Sequence, residues 1–302
     1  MDATPGRFDV PDDVTAPVVV GCSGGADSLA LLVLAVDAAL DPIAVHVDHG
    51  VRDGSAAEAD TVAEAAARLG ARFDARRVSV NRGPNLEARA RTARYDALEC
   101  ARAEHGASAV LVGHTADDQA ETVLLNLLRG SGSSGLAGMP SRRGHIVRPL
   151  LGIRRAELRA LCTQRGLVPV SDPSNQDLSF RRNRIRHEVI PLLEGVAGRD
   201  LTPILVRQAE VLRTESDFLD GVARAAWPGE AGARARDLAA LPRALARRAV
   251  RCWLGQPRPS LEEVDEILAV ASGERRAVDL AGGRRVHRTG GVMFATVPLH
   301  GD

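Results

Sequence analysis

The hexapeptide Ser-Gly-Gly-Ala-Asp-Ser at residues 23–28 is the part of this chain best suited to chemistry. It follows Val18–Val20 and precedes the apolar run Leu29–Val36, which predicts a buried strand, a tight loop and a helix N-terminus. The first turn of a helix presents unpaired N–H groups at the positive end of the helix dipole, and glycines let a phosphate approach the main chain. Asp27 fits beside an anion if a divalent metal lies between them. The segment therefore predicts a phosphate site, with a simple capped turn as the alternative.

A second polar set follows the predicted strand Ala109–Val112. His114 precedes the acids Asp117, Asp118 and Glu121 at the start of a predicted helix, and residues three apart share a helix face. Acids in a first turn usually stabilise the helix dipole. Here they would also lie at the carboxyl edge of a parallel sheet, where ligands bind. They predict a site for a cationic substrate or for a metal.

Two arginine-rich segments accompany these sites. Arg91 and Arg94 are three residues apart on a predicted helix, and residues 181–187 carry four arginines and a histidine. Solvent-exposed basic helices are one interpretation of both segments. Phosphate recognition is the other, because the planar guanidinium suits phosphate oxygens.

Strand and helix patterns alternate along the first two thirds of the chain, which predicts an α/β fold with a doubly wound parallel sheet. The Gly/Ser-rich segment 129–139 reads as a linker or a closing lid. Amphipathic helices and a closing hairpin follow residue 200, so we expect an N-terminal catalytic domain at 1–198 and a second, mainly helical domain at 199–302. The predicted strands are 18–20, 43–47, 72–80, 109–112 and 145–151, and the predicted helices of the first domain include 27–40, 55–69, 85–105, 114–128 and 154–165.

The composition places the protein in the cytoplasm and points to a polyanion. None of its hydrophobic stretches could cross a bilayer, and residues 1–20 lack the basic end and apolar centre of a signal peptide. The 302 residues have no formal net charge, but residues 1–140 carry 12 Arg against 20 acids and residues 141–302 carry 27 Arg against 19. The basic half is the one expected to meet nucleic acid. The four cysteines form no Cys-x-x-Cys pair, which favours structural thiols.

The hexapeptide and its flanking strand and helix resemble the PP-loop ATP pyrophosphatase superfamily, and further motifs resemble the tRNA(Ile)-lysidine synthetase family within it. The resemblance runs from about residue 17 to 193 in the family's order. Beyond residue 200 the likeness to the family's helical domain is loose. The motifs are His46–Arg52, Ala90–Tyr95, Gly113–Thr122, Arg129–Gly132, Gly135–Met139, Arg148–Leu151, Asp172–Asn175 and Arg182–Arg186.

The resemblance implies that ATP adenylates the 2-oxo group of the wobble cytidine in a tRNA(Ile) with a CAU anticodon, after which free lysine displaces AMP. It implies ATP and Mg²⁺ as cofactors, and the sequence leaves a homodimer open. Asp118 and Glu121 are favoured for lysine over metal. The ATP-binding residues would be Ser23, Gly24, Gly25, Asp27, Ser28 and His46, with Asp27 also a metal ligand; the catalytic residues would be Asp27, Arg94, Arg91 and His114; the substrate-binding residues would be Asp118, Glu121, Arg182, Asn183 and Arg186.

Other functions are open on the residues alone. A different PP-loop activity, the thiolation of tRNA, is disfavoured. Sulfur-carrying members of the superfamily generally need paired cysteines, and Cys22 has no neighbouring cysteine. A glutamine-fed amidating enzyme is disfavoured because no glutaminase-like domain is present. A non-catalytic nucleotide- and RNA-binding protein would have little use for the polar set at His114–Glu121.

Overall fold

The computed structural model describes residues 7–48, 55–79, 83, 86–170, 176–229 and 233–296. The motifs at 49–52 and 172–175 lie outside these residues. The chain divides into two compact units, Met1–Val211 and Leu212–Asp302. The predicted division at 198 and 199 concerns functional domains and stays a prediction. Within the described ranges, every helix is too short or too polar to cross a membrane.

A six-stranded sheet lies at the centre of the first unit. Its strands are β1 (Val18–Gly21), β2 (Pro42–Asp48), β3 (Arg72–Arg77), β4 (Val110–Val112), β5 (Arg142–Arg143) and β6 (Ile146–Val147). Their order is β3-β2-β1-β4-β6-β5, and all neighbours are parallel except β5 and β6. From β1 the parallel strands follow in chain order on both sides, β2 and β3 on one side and β4 and β6 on the other, as in a doubly wound sheet. The predicted fold class is confirmed.

Helices cover the sheet and connect its strands. Those of the first unit's parallel part are α1 (Ala26–Asp37), α2 (Ser55–Leu69), α3 (Leu86–Glu104), α4 (Ala116–Leu128), α5 (Ser133–Leu136) and α6 (Arg155–Gln164). The valines of β1 are fully buried, and so are Leu29, Leu31 and Leu32 of α1. Burying a side chain of this size contributes about 1.5–3 kcal/mol. The core therefore fixes α1 against β1, and with it the loop between them.

The fifth strand differs from its prediction at 145–151. Only Ile146 and Val147 pair with β4, and the Arg148 N–H donates to the carbonyl oxygen of Ser141, the residue before β5, at 2.8 Å. Pro149 cannot donate to a ladder, which ends the strand there. The antiparallel strand β5 was not predicted, because two residues carry no periodic pattern.

The Gly/Ser-rich segment 129–139 is folded against α4 and is not an open linker. Gln119 donates through Nε2 to Met139 O at 3.0 Å and accepts from the Met139 N–H at 2.7 Å. Asn126 donates through Nδ2 to Gly135 O at 2.8 Å. These bonds hold the segment, including α5, at the end of α4.

Three helical pieces follow α6 after the gap at 171–175. They are α7 (Arg181–Arg184), a π-helical turn (Ile185–Val189) and α8 (Ile190–Ala197). Single π-helical turns often occur at functional sites. The basic segment 181–187 covers α7 and the start of the π-helical turn, and both pieces contact α4.

The second unit has its own core of helices and a small sheet. Leu238, Ile267 and Val286 are fully buried in it, and the Trp227 and Trp253 rings meet edge to face at 5.2 Å. The predicted helices and closing hairpin are present. The elements from residue 202 onward are α9 (Thr202–Ala226), α10 (Ala235–Ala239), α11 (Arg243–Leu254), α12 (Leu261–Ser272), β7 (Ala277–Asp279), β8 (Arg285–Thr289) and β9 (Val292–Thr296).

Candidate active site

The loop between β1 and α1 is held by its own serines. Ser28 Oγ donates to Gly25 O at 2.9 Å and accepts from the Ser23 N–H at 3.2 Å. Gly24 has φ +80°, a conformation that favours glycine, and its carbonyl accepts from the Val170 N–H at 2.9 Å. The loop therefore presents the N-terminus of α1 at the carboxyl edge of the sheet, as a phosphate site requires.

The segment after β4 lies directly against this loop. A Cβ on Gly113 would be 3.1 Å from the main-chain oxygen of Asp27, which is closer than most side chains allow. Glycine at this position lets the end of β4 approach the start of α1. Consequently Asp118, at the start of α4, interacts electrostatically with Asp27.

His46 is buried at the end of β2 and contacts the same loop. Its Nδ1 lies 3.0 Å from Cys22 O, and a carbonyl only accepts, so Nδ1 carries a proton. Nε2 is buried and has no hydrogen-bond partner among the described residues. A buried ring nitrogen beside the phosphate loop is available to a ligand, and the predicted ATP contact of His46 stays a prediction.

Asp27 is the acid of the phosphate loop. Its Oδ2 accepts from Arg155 Nε at 3.0 Å, whereas Oδ1 is buried without a partner in the described part of the chain. Burial raises the pKa of Asp27 despite the opposing charge of Arg155. A desolvated carboxylate oxygen fits Mg²⁺, which is usually bound by one or two carboxylates together with substrate phosphates. The described residues contain no group of three or more acidic, His or Cys side chains able to hold a metal.

Asp118 serves both as a helix cap and as an ion-pair partner. Its Oδ2 accepts from the Thr115 N–H at 2.9 Å, and Thr115 Oγ1 accepts from the Asp118 N–H at 3.2 Å. Its Oδ1 accepts from Arg155 Nη2 at 2.8 Å and from Arg182 Nη2 at 3.0 Å. Burial by itself would raise the pKa of Asp118, but the two guanidinium groups hold it below its ordinary value. Asp118 is therefore ionised at neutral pH.

Glu121 is 1% exposed, and both of its carboxylate oxygens accept hydrogen bonds from arginines. Its Oε1 accepts from Arg186 Nε at 2.6 Å, and its Oε2 accepts from Arg182 Nε at 2.6 Å. Arg155 Nη1 lies 3.8 Å from Oε1. Three acids and three arginines thus form one charge-balanced cluster, made of Asp27, Asp118, Glu121, Arg155, Arg182 and Arg186.

The structure brings together predicted site residues that are far apart in sequence. They contact one another in ion pairs, so they are not free to bind a ligand separately. Arg182 and Arg186, predicted for substrate, pair with the acids predicted for lysine. A cationic amine must therefore displace an arginine or share a carboxylate with it. The predicted roles of these four residues stay predictions.

Arg155 is the member of the cluster that sequence reasoning missed. Its only signal was its position as the first residue of α6, which starts after β6 at the same edge of the sheet. The neighbouring Asp117 accepts from the Arg155 main-chain N–H at 2.7 Å and pairs with Arg154 at 3.3 Å. Asp117 thus positions the start of α6.

Asn183, predicted for substrate, is buried among backbone groups. Its Nδ2 donates to Asp177 O at 2.9 Å. This bond ties α7 to the residues that precede it. A role toward substrate stays a prediction.

A second cationic group surrounds Tyr95. Arg91 Nη2 donates to the Tyr95 hydroxyl at 3.3 Å, and the guanidinium carbons of Arg91 and Arg94 lie 5.2 and 5.7 Å from the ring centroid. Arg148, the residue after β6, also interacts with Tyr95. No carboxylate of the described residues forms an ion pair with these three arginines. We call Arg91, Arg94, Arg148 and Tyr95 the acid-free cluster.

His114 lies between the two clusters. Burial lowers its pKa to about 3; Asp118 opposes this shift, and Arg148, Arg91 and Arg182 reinforce it. The imidazole is neutral at pH 7, and its Nδ1 is buried without a partner among the described residues. In this arrangement His114 is a weak base, so its predicted proton-accepting role would need an anion nearby.

Comparisons with known proteins identify the family. Residues 8–193 match the PP-loop domain family. The tRNA(Ile)-lysidine synthase of Thermobifida fusca is 43% identical over 298 residues, covering 92% of this chain and 91% of the relative. That of Nocardia farcinica is 47% identical over 266 residues, covering 85% and 82%.

A solved structure supports the fold alone. The U34-tRNA thiolase NcsA from Methanococcus maripaludis superposes with a TM-score of 0.55 at 19% identity, covering 68% of this chain and 74% of that one. With the PP-loop match and relatives above 40% identity over most of the sequence, the chain belongs to the tRNA(Ile)-lysidine synthase (synthetase) family.

Proposed function

We propose that this protein ligates free L-lysine to the wobble cytidine of the CAU anticodon of tRNA(Ile), using ATP and releasing pyrophosphate and AMP. The cytidine 2-oxo oxygen attacks the α-phosphorus of ATP and pyrophosphate leaves. The lysine ε-amine then attacks C2 of the base, loses a proton, and AMP departs with the former 2-oxo oxygen. The net product is lysidine.

One observation carries the proposal: Arg155 joins the phosphate loop to the acids of α4. Its Nε bonds Asp27 at 3.0 Å and its Nη2 bonds Asp118 at 2.8 Å. The loop expected to hold ATP and the carboxylates expected to hold an amine are therefore one continuous site. A two-step ligase needs this arrangement, because its second substrate must reach the group activated by the first.

The first step requires positioning and charge neutralisation more than acid–base chemistry. Ser23, Gly24, Gly25 and Ser28 are placed to hold the phosphates at the α1 N-terminus. When bound, Mg²⁺ would neutralise phosphate charge, and Asp27 would hold it through Oδ1, which has no partner in the part of the chain that the structure describes. Arg94 and Arg91 are the cations proposed to stabilise charge at the transferring phosphorus.

The second step requires a neutral amine, although free lysine has a pKa of about 10.4. Asp118 and Glu121 provide the negative charge that would bind the incoming amine. The arginines of the charge-balanced cluster favour the neutral amine by like-charge repulsion, whereas Asp118 and Glu121 favour its protonated form, so the second step needs a proton acceptor. His114 remains the residue to test as proton acceptor.

The basic half of the chain is proposed to contact tRNA. Residues 141–302 carry 27 Arg against 19 acids, and charge of this kind supplies most non-specific nucleic-acid affinity. We place the reaction in the cytoplasm and expect the helical second domain to contribute phosphate contacts. A homodimer is the assembly to test by light scattering.

The test is incubation of the protein with ATP, Mg²⁺, radiolabelled lysine and total tRNA. The proposal expects label in one isoleucine tRNA and equimolar AMP. Label in no tRNA, under conditions where the chain is folded and binds ATP, would refute the ligase function. Omission of ATP provides the control for trapped lysine.

A further inference from the structure

We propose that the acid-free cluster is a phosphate-binding site, in which Arg148 binds the anion together with Arg91 and Arg94 while Tyr95 holds the guanidinium groups in place. The inference rests on the proposed function, because it assigns a part of the substrate to a place in that site. It adds Arg148 and Tyr95, to which sequence reasoning gave no role.

The cluster lies at the ligand-binding edge of the sheet. The Leu98 side chain approaches within 3.1 Å of a Cβ built on Gly21, the last residue of β1. Because α3 connects two parallel strands, it runs opposite to them, so residues before Leu98 lie beyond the strand ends. Arg94, four residues earlier, lies about 6 Å further along the helix axis. Arg148 follows β6 directly, so it reaches the same edge.

The cluster holds positive charge that the described residues leave uncompensated. Arg148 is 7% exposed and its Nη1 donates to Pro140 O at 2.9 Å. Its Nε is buried and has no hydrogen-bond partner among the described residues. Burial lowers the pKa values of both Arg94 and Arg148, and Arg91 lowers them further by like-charge repulsion. Burying cations without a counter-charge is costly. An anion bound among them would remove that cost and supply the missing acceptor.

Tyr95 explains how the arginines are held together without being neutralised. Its ring lies beneath two guanidinium groups, and its hydroxyl accepts a hydrogen bond from Arg91. A carboxylate in the same place would cancel the positive charge. An aromatic ring and its hydroxyl hold the guanidinium groups without a carboxylate, which leaves their positive charge available to a ligand.

The ligand chemistry that matches is a phosphate. Arginine forks bind two oxygens of a phosphate through parallel N–H donors, and two or three arginines around one anion give charge-assisted bonds. The reaction offers two sources of it: the α-phosphate of the nucleotide, which ends in AMP, and a tRNA backbone phosphate beside the wobble cytidine. The experiment distinguishes them.

The test compares ligands that differ only in phosphate charge, using the full chain. Calorimetry gives the affinities for AMP and adenosine. It also gives those for a stem-loop RNA with the CAU anticodon and for the same RNA with a neutral methylphosphonate beside the wobble cytidine. The wild type should prefer the charged member of one pair. Arg148→Gln should reduce that preference by roughly tenfold or more, and Tyr95→Phe by a smaller factor.

Loss of the AMP preference assigns the site to the nucleotide, and loss of the RNA preference assigns it to the tRNA backbone. The inference is overturned if the wild type shows no preference in either pair, or if both variants retain it. Arg142→Gln, on the neighbouring strand β5, is the matched control and should bind like the wild type. Thermal melts of Arg148→Gln and of Arg148→Lys, which keeps the positive charge, show whether Arg148→Gln has a folding defect.

Neither pair of ligands requires lysine, so the phosphate site and the proposed ligase function can fail independently of each other. A wild-type chain that discriminates phosphate but incorporates no lysine contradicts the proposed function and leaves the site standing. A chain that incorporates lysine but shows no phosphate preference sensitive to Arg148 contradicts only this inference.

Discussion

The charge-balanced cluster and the acid-free cluster lie at the same edge of one sheet, yet they use arginine in opposite ways. In the first, Arg155, Arg182 and Arg186 are neutralised by three carboxylates. In the second, three arginines surround a phenol and no described acid pairs with them. In the first cluster a substrate must displace an existing ion-pair partner. In the second, none of the described residues supplies an anion to neutralise the arginines. The difference suggests that the lysine step depends on Asp118 and Glu121 of the first cluster, whereas the arginines of the second cluster serve the phosphate step together with Asp27.

The largest expected effect comes from removing the acid that links the phosphate loop to the charge-balanced cluster. Asp27→Asn should lower tRNA-dependent pyrophosphate release by about 10³-fold, since it removes the carboxylate charge proposed to hold Mg²⁺ and leaves Arg155 with less counter-charge. Pyrophosphate release measured at saturating ATP checks this. Asp37→Asn, at the other end of α1 and paired with Arg165, is the control. Retained release in Asp27→Asn would separate Asp27 from the metal and phosphate site.

The next effect belongs to the acid-free cluster. Arg94→Ala should slow tRNA adenylation by about 10²-fold while leaving ATP affinity nearly intact, the pattern of a contact made in the transition state. Single-turnover kinetics with labelled ATP measures the step. Arg102→Ala lies on the same helix, where Arg102 pairs with Glu99, and should behave like the wild type. An unchanged rate in Arg94→Ala would return Arg94 to the solvent-exposed interpretation.

A smaller effect is expected from the acids of the charge-balanced cluster. Glu121→Gln should raise KM for lysine by about tenfold and spare adenylation of tRNA without lysine, because it weakens an ion-pair site used only in the second step. Asp118→Asn should act in the same direction. Asp265→Asn, which also removes an acid paired with two arginines, is the control. Loss of both steps together would favour the metal assignment for Asp118 and Glu121.

The smallest effect is on stability. Burial lowers the pKa of His114 in the folded chain to about 3, below its ordinary value of 6.5. A histidine of depressed pKa contributes stability that is present above pH 6.5 and lost as pH falls toward 3. His114→Gln should therefore lose less unfolding free energy between pH 7 and pH 5 than the wild type, as urea denaturation would show. His145→Gln, at an exposed histidine, is the control. Parallel pH profiles would contradict the burial of a neutral His114.

The parts predictable from sequence are those whose causes are local. The phosphate loop follows from glycines and a valine run within a dozen residues, and the start of α4 follows from its acids and cap. Both appear in the structure at the expected edge. Strand β5 lies outside the prediction because two residues carry no periodic pattern. The sequence leaves segment 129–139 as a linker or a closing lid, because its ordering depends on Gln119 and Asn126 of α4.

The pairings of the site were not predictable for a related reason. Arg155 is 128 residues from Asp27, and Arg182 is 61 residues from Glu121. A sequence shows which residues could pair, but the choice of partner depends on how α6 and the π-helical turn pack at the sheet edge. The same limit hid Arg148, since the lack of a carboxylate beside it is a property of the folded chain.

The most direct test of the division between the clusters is a single-turnover experiment with α-phosphate-labelled ATP and tRNA(Ile), which follows label on tRNA before and after lysine is added. We predict that Glu121→Gln accumulates adenylated tRNA that lysine discharges slowly, whereas Arg94→Ala forms little adenylated tRNA at all. Both variants blocking the same step would contradict it.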